Sequence, residues 1–81
     1  MRLPWTVYML RCADGTLYTG ITNDLAQRLS KHAEGTGAKY TRGRGPYMVL
    51  LTEEHPTKSE ALKRELAIKK LSREQKLALV D

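Results

Sequence analysis

A single cysteine, Cys12, stands among 81 residues, so no disulfide can close within the chain and the fold must hold without oxidation. A small structural role is expected for it. No apolar run approaches the roughly 20 residues that span a bilayer. The opening Met1-Arg2-Leu3-Pro4-Trp5 lacks the long apolar region of a secretion signal. No membrane is therefore expected as a partner, and a cytoplasmic location is the default expectation. There is no CxxC or HExxH pattern for zinc and no phosphate-loop lysine motif, which argues against ATP hydrolysis. Gly43-Arg44-Gly45-Pro46 is too short and wrongly placed for a dinucleotide loop. Repeats, linkers and low-complexity tails are absent too.

Acid is in short supply. Nine Asp or Glu face 14 Lys or Arg, for a net charge of +5. That balance favours an anionic partner, with nucleic acid first. At this length one domain over residues 1–81 is expected, burying roughly 60–65% of the unfolded surface. Such a chain has room for one small core and little for a deep pocket. A large substrate gripped across an open face fits better.

Trp5 to Arg11 reads as a strand, Ala13-Asp14-Gly15-Thr16 as a hairpin turn, and Leu17 to Ile21 as the returning strand. A turn centred on Asp14-Gly15 predicts partners summing to about 29. Tyr8 then faces Ile21 and Tyr18 faces Arg11, leaving the two phenols diagonal. A helix follows, capped by Thr22 or Asn23, with Leu25 and Leu29 inward and Gly35 and Gly37 at its end. Gly35 to Pro46 is irregular and basic. Tyr47 to Thr52 is an apolar strand suited to the middle of a sheet. Thr57 with Glu60 and Ser72 with Gln75 have capping-box spacing, and each opens a further helix. Ala61, Leu62, Leu66 and Ile68 mark the apolar intervals of the first of these, and Leu77 to Val80 anchors the last. The expected fold is α+β: a small three-stranded antiparallel sheet flanked by helices, in the order β-β-α-β-α-α.

Five residues carry the chemistry. Tyr8 and Tyr18 lie on paired strands and supply phenols; the plainer alternative is that they only fill a sheet face. Arg28 and His32 are four apart and share one side of a helix. A guanidinium suits paired phosphate oxygens, and an imidazole can move a proton near neutral pH. Their alternative is an exposed basic pair. Glu65 has Ala61, Leu62 and Ile68 among its helical neighbours, so it belongs on or beside the packed side. Burying a carboxylate costs several kcal/mol, roughly, unless it is paired or ligates a cation. Mg²⁺ commonly takes one or two protein carboxylates plus waters and phosphate. A salt bridge to Arg28 or to a lysine of another helix is the alternative.

Thr6-Val7-Tyr8 and Tyr18-Thr19-Gly20, continued by Ile21-Thr22-Asn23, Arg28, His32, Gly37-Ala38-Lys39-Tyr40-Thr41, Gly43-Arg44-Gly45-Pro46 and the helix of Glu65, resemble the GIY-YIG nuclease superfamily. The likeness runs from Trp5 to about Lys76 and is nearest to the small stand-alone bacterial proteins of that superfamily. It implies a catalytic set of Tyr8, Tyr18, Arg28, His32 and Glu65, with Glu65 holding Mg²⁺ or Mn²⁺. It further implies that Gly20 gives close backbone approach and that Asn23 supports the helix start. The activity so implied is metal-dependent endonuclease cleavage of DNA, branched or single-stranded, leaving a 5′ phosphate and a 3′ hydroxyl. A noncatalytic nucleic-acid-binding module of the same fold is the alternative. Arg11, Lys31, Lys39, Tyr40, Arg42 and Arg44 are expected along the nucleic acid. RNA stays open as a substrate, and so does a protein partner.

Overall fold

The computed structural model describes residues 4–35 and 42–80. Lys39 and Tyr40, and the segment Gly37 to Thr41 around them, lie outside the described residues. The elements are β1 (Trp5–Arg11), β2 (Leu17–Thr22), α1 (Leu25–Glu34), β3 (Met48–His55), α2 (Lys58–Lys69) and α3 (Arg73–Ala78). The order is the expected β-β-α-β-α-α, and the sheet is antiparallel with three strands.

The middle strand is β1, not β3: the order is β2-β1-β3. Val7, Tyr8, Met9 and Leu10 are buried in succession, as a strand covered on both faces requires. On β3, by contrast, Met48 and Val49 stay exposed. The apolar run that suggested a central position for β3 belongs to an edge. A register irregularity between Met9 and Leu10 shifts their β3 partners from Leu51 to Val49.

The hairpin is one residue longer than a two-residue turn. Cys12 N–H donates to Thr16 O, and Gly15 N–H to Cys12 O, with Gly15 at φ 87. A glycine in the left-handed region closes such a three-residue loop. Partners therefore sum to 28: Tyr8 pairs with Gly20 and Leu10 with Tyr18. Alternation then puts Tyr8 and Tyr18 on the same face, as diagonal neighbours on the paired strands.

That tip holds two distant segments. Ala13 N–H donates to Arg44 O, Arg44 Nη1 lies 2.5 Å from Asp14 Oδ2, and Arg73 Nη1 donates to Gly15 O at 2.7 Å.

Val7 lies on the other face of β1, where it packs with Ala61 and Ile68 of α2, flanked by Trp5, Ile21, Leu51 and Leu79. Leu62 and Leu66, expected inward, are exposed instead. Arg64 of α2 grips Glu53 of β3 with two hydrogen bonds, Nε–Oε1 at 2.8 Å and Nη2–Oε2 at 3.1 Å. Thr57 caps α2, and Ser72 and Gln75 close a full capping box on α3. The cap of α1 is Asp24, which accepts from Gln27 N–H; Thr22 Oγ1 accepts from Asp24 N–H one step earlier. Among the described residues, no helix is long and apolar enough to cross a membrane.

Candidate active site

Tyr8 is the pivot, and Gly20 is why it fits. The two are cross-strand partners, and a Cβ on residue 20 would lie 2.8 Å from Tyr8 Oη and 3.0 Å from Tyr18 Cε2. Two residues back on β2, on the same face, Tyr18 brings its ring centroid 6.2 Å from that of Tyr8, tilted by 49°.

Helix α1 supplies the other half. Its helical spacing points Arg28 and His32 at one phenol: Arg28 Nε donates to Tyr8 Oη at 3.2 Å, and Tyr8 Oη lies 2.9 Å from His32 Nε2. Tyr18 joins by hydrogen bonding to Arg28. His32 is buried, with its ring edge-on to Tyr8, Tyr18 and Tyr47 at centroid distances of 5.8, 5.3 and 5.9 Å. The alternative of an exposed basic pair is thus corrected for His32: it is a core residue with a polar partner.

Burial, opposed by the Arg28 hydrogen bond, pushes the Tyr8 phenol up to about 12. Burial first, and then the Arg28 charge, lowers the His32 imidazole. The hydrogen bond to Tyr8 leads the causes that raise Arg28. At neutral pH the cluster is therefore a cation beside a neutral phenol and a neutral imidazole. This arrangement lets the phenol accept from Arg28 while offering its own proton to His32 Nε2.

A stability consequence follows from His32. An unfolded histidine titrates near about 6.5, and the folded one lower. Between those two values the unfolded chain binds more protons. Stability is therefore full above the unfolded value, declines as pH falls through it, and levels once the folded imidazole protonates. Denaturant midpoints should drop between about pH 7.5 and 5, ahead of the carboxylate region. The drop should be smaller in His32→Gln; equal drops in both proteins would remove His32 as the cause.

Glu65 is carried by α2, the helix whose Ala61 and Ile68 pack against Val7. It stands on the stripe of α2 that carries Ala61 and Ile68, and its side chain is 14% exposed, as its neighbours implied. Oε2 lies 3.5 Å from Lys69 Nζ on the same helix, in place of the expected Arg28 or a lysine from another helix. Among the described residues, no three His, Cys, Asp or Glu gather where a metal ion could sit. One largely buried carboxylate fits a hard cation only if water and phosphate oxygens complete its shell, a shell that Mg²⁺ accepts. Glu65 is the residue that would hold it.

The basic residues divide. Arg11, Lys31 and Arg42 are exposed, and Asn23 is exposed just before the Asp24 cap. Arg44 is engaged by Asp14, so part of its work is to fasten the loop before β3 to the hairpin. Sequence reasoning gave Asp14 a turn role only, and it missed Tyr47, whose one visible signal is an aromatic residue directly after Gly43-Arg44-Gly45-Pro46.

The family model of the GIY-YIG catalytic domain matches residues 4–78. A UPF0213 protein of Oceanobacillus iheyensis is 55% identical over 75 residues, covering 93% of this chain and 87% of that one. A UPF0213 protein of Halobacterium salinarum is 55% identical over 73 residues, covering 90% and 95%. Among solved structures, the solution NMR structure of a UPF0213 protein from Bacillus halodurans superposes with a TM-score of 0.62 at 51% identity, over 95% of this chain and 82% of that chain. A solution NMR structure of an E. faecalis protein gives 0.67 at 45% identity, over 94% and 81%.

Proposed function

Since the chain belongs to the GIY-YIG catalytic-domain family, we propose that it binds nucleic acid, branched or single-stranded DNA above all, across the face that carries Tyr18 and Arg28. The observation that supports this most is the anchoring of Arg28. Its Nε is spent on a buried phenol, which fixes the guanidinium in place, and the N–H groups that Tyr8 and Tyr18 do not take are left for phosphate oxygens. The exposed Lys31 and Arg42 extend the positive face, and the net charge of +5 draws a polyanion to it.

A second reading, hydrolysis of the bound phosphodiester, is favoured by the Tyr8–His32 pair. Phosphate binding alone has no use for a buried phenol 2.9 Å from a neutral imidazole. A phenol held up to about 12 is no base at pH 7 by itself. It passes its proton to His32 as it takes up, by way of Tyr18 at the open side of the cluster, the proton that the attacking water gives up, so the water's proton ends on the imidazole. Arg28 neutralises charge that develops on a nonbridging oxygen. A divalent cation held by Glu65 would supply Lewis-acid stabilisation of the leaving 3′ oxygen. The products would carry a 5′ phosphate and a 3′ hydroxyl.

Both readings are tested on one panel of labelled single-stranded, duplex, flapped and four-way DNA, with an RNA strand beside them. Binding should weaken with salt. Arg42→Ala should flatten the log affinity–log salt slope by about 0.7–0.9, the share of one phosphate. Absence of salt-dependent binding to every member overturns the proposal. Nicks that form with Mg²⁺ or Mn²⁺ and vanish in EDTA decide for hydrolysis; intact strands across both metals decide for binding alone.

A further inference from the structure

Beside the Tyr8 cluster, and sharing His32 with it, lies a second feature. A cavity of about 430 Å³ opens between the Leu29–Ala33 flank of α1 and the segment from Gly45 to Val49. Its lining is Leu29, His32, Ala33, Pro46, Tyr47 and Val49, with the backbone of Gly45. That volume falls in the range of small-molecule sites, about 300–1,000 Å³. The walls are mostly apolar, with the Tyr47 ring as an aromatic wall and His32 shared with the Tyr8 cluster. Gly45 shapes it as well: a Cβ there would stand 3.2 Å from Tyr47 Cε2, so the bare backbone lets the ring lie close.

We infer that this cavity is a nucleobase pocket, which takes one unpaired base of the strand whose phosphate sits at Arg28. The inference rests on the nucleic-acid reading above and narrows its substrate to strands with unstacked bases. One observation and two general properties of nucleic acids carry it. His32 belongs to both sites: its ring is edge-on to Tyr47 on the pocket side, and its Nε2 meets Tyr8 on the phosphate side. The group that a nucleic acid carries next to each phosphate, and that suits apolar and aromatic walls, is the base. A base within a duplex is stacked on both faces and cannot enter such a pocket without leaving its helix. Preference for single strands and junctions is therefore built into the wall of this cavity, where positive charge alone would treat a duplex equally well.

The probes are decathymidine and a decamer of abasic deoxyribose phosphates, which carry the same backbone charge. The parent should bind decathymidine more tightly than the abasic strand. Tyr47→Leu should lose about 5- to 150-fold for decathymidine, the range for one base on an aromatic ring, and little for the abasic strand. Tyr47→Phe should retain the parent's preference. Gly45→Ala, which presses a methyl onto the ring without removing it, should lose affinity in the same sense; it takes the place of Tyr47→Leu if circular dichroism finds that variant unfolded. A parent that binds both decamers equally, or a folded pocket variant that keeps the full preference, overturns the pocket while leaving phosphate binding intact. A parent that binds neither overturns the nucleic-acid reading itself, and the pocket with it.

Discussion

Glu65→Gln is expected to cut metal-dependent nicking by at least about a hundredfold while strand binding stays within about twofold. Loss of one preorganised electrostatic stabiliser in an active site registers on that scale. The amide keeps the shape of the side chain but not its charge, and a hard cation holds poorly to a neutral oxygen. Binding is spared because the attraction for phosphate is assigned to the cations Arg28, Lys31 and Arg42, and an acid adds none of its own. Folding is spared too. The substitution takes from the fold one ion pair along α2, with Lys69 at 3.5 Å, and that lysine is about half exposed. Such pairs are worth about 0.3–0.5 kcal/mol. Nicking and binding assays on the same preparation, with a melting curve as control, make the comparison. Full activity in the variant removes Glu65 as the metal ligand. No nicking by the parent leaves the binding module as the function.

Gly20→Ala should do the most damage to the fold. The new methyl would stand 2.8 Å from Tyr8 Oη and 2.9 Å from Tyr8 Cζ, well inside ordinary contact. Tyr18 is half-buried, and its ring can yield. Tyr8 cannot, because it is fully buried and tied to both Arg28 and His32. Overpacking of this kind costs about 1–3 kcal/mol. In a chain of this size, each kcal/mol lowers Tm by about 4–8 °C. Calorimetry should therefore show a fall of about 4–24 °C. Nucleic-acid affinity should fall with it, since displacing Tyr8 releases Arg28. An unchanged Tm would mean that Tyr8 shifts freely and the cluster is not preorganised.

Much of this architecture was legible in the residues because it is local. Asp14-Gly15 announced the hairpin, Thr57 and Ser72 their helices, and the apolar neighbours of Glu65 its near-burial. The family likeness named the four groups that meet at Tyr8. What stayed hidden was relational. One extra loop residue moved the register by one and brought Tyr18 to the same face as Tyr8; turn composition does not count that residue. The centrality of β1 over β3 depends on which faces the helices cover, and two apolar runs of similar strength do not settle it. Asp24 outranked Thr22 and Asn23 as the cap because the helix begins one residue later. Nothing local to Glu53 points to Arg64, eleven residues on, which lies opposite it only in the fold. Tyr47 drew no notice because its meaning lies in the ring of His32, fifteen positions earlier and visible only when folded.

The hairpin tip has a role beyond reversing the chain. Ala13, Asp14 and Gly15 fasten the loop that leads to β3 through Arg44 and the terminal helix through Arg73. Two segments about thirty residues apart thus hang from one peg. A local opening at that peg is expected to free both segments together. Because the Gly45–Tyr47 segment directly follows Arg44, its seat beside α1 starts from a residue that the hairpin holds.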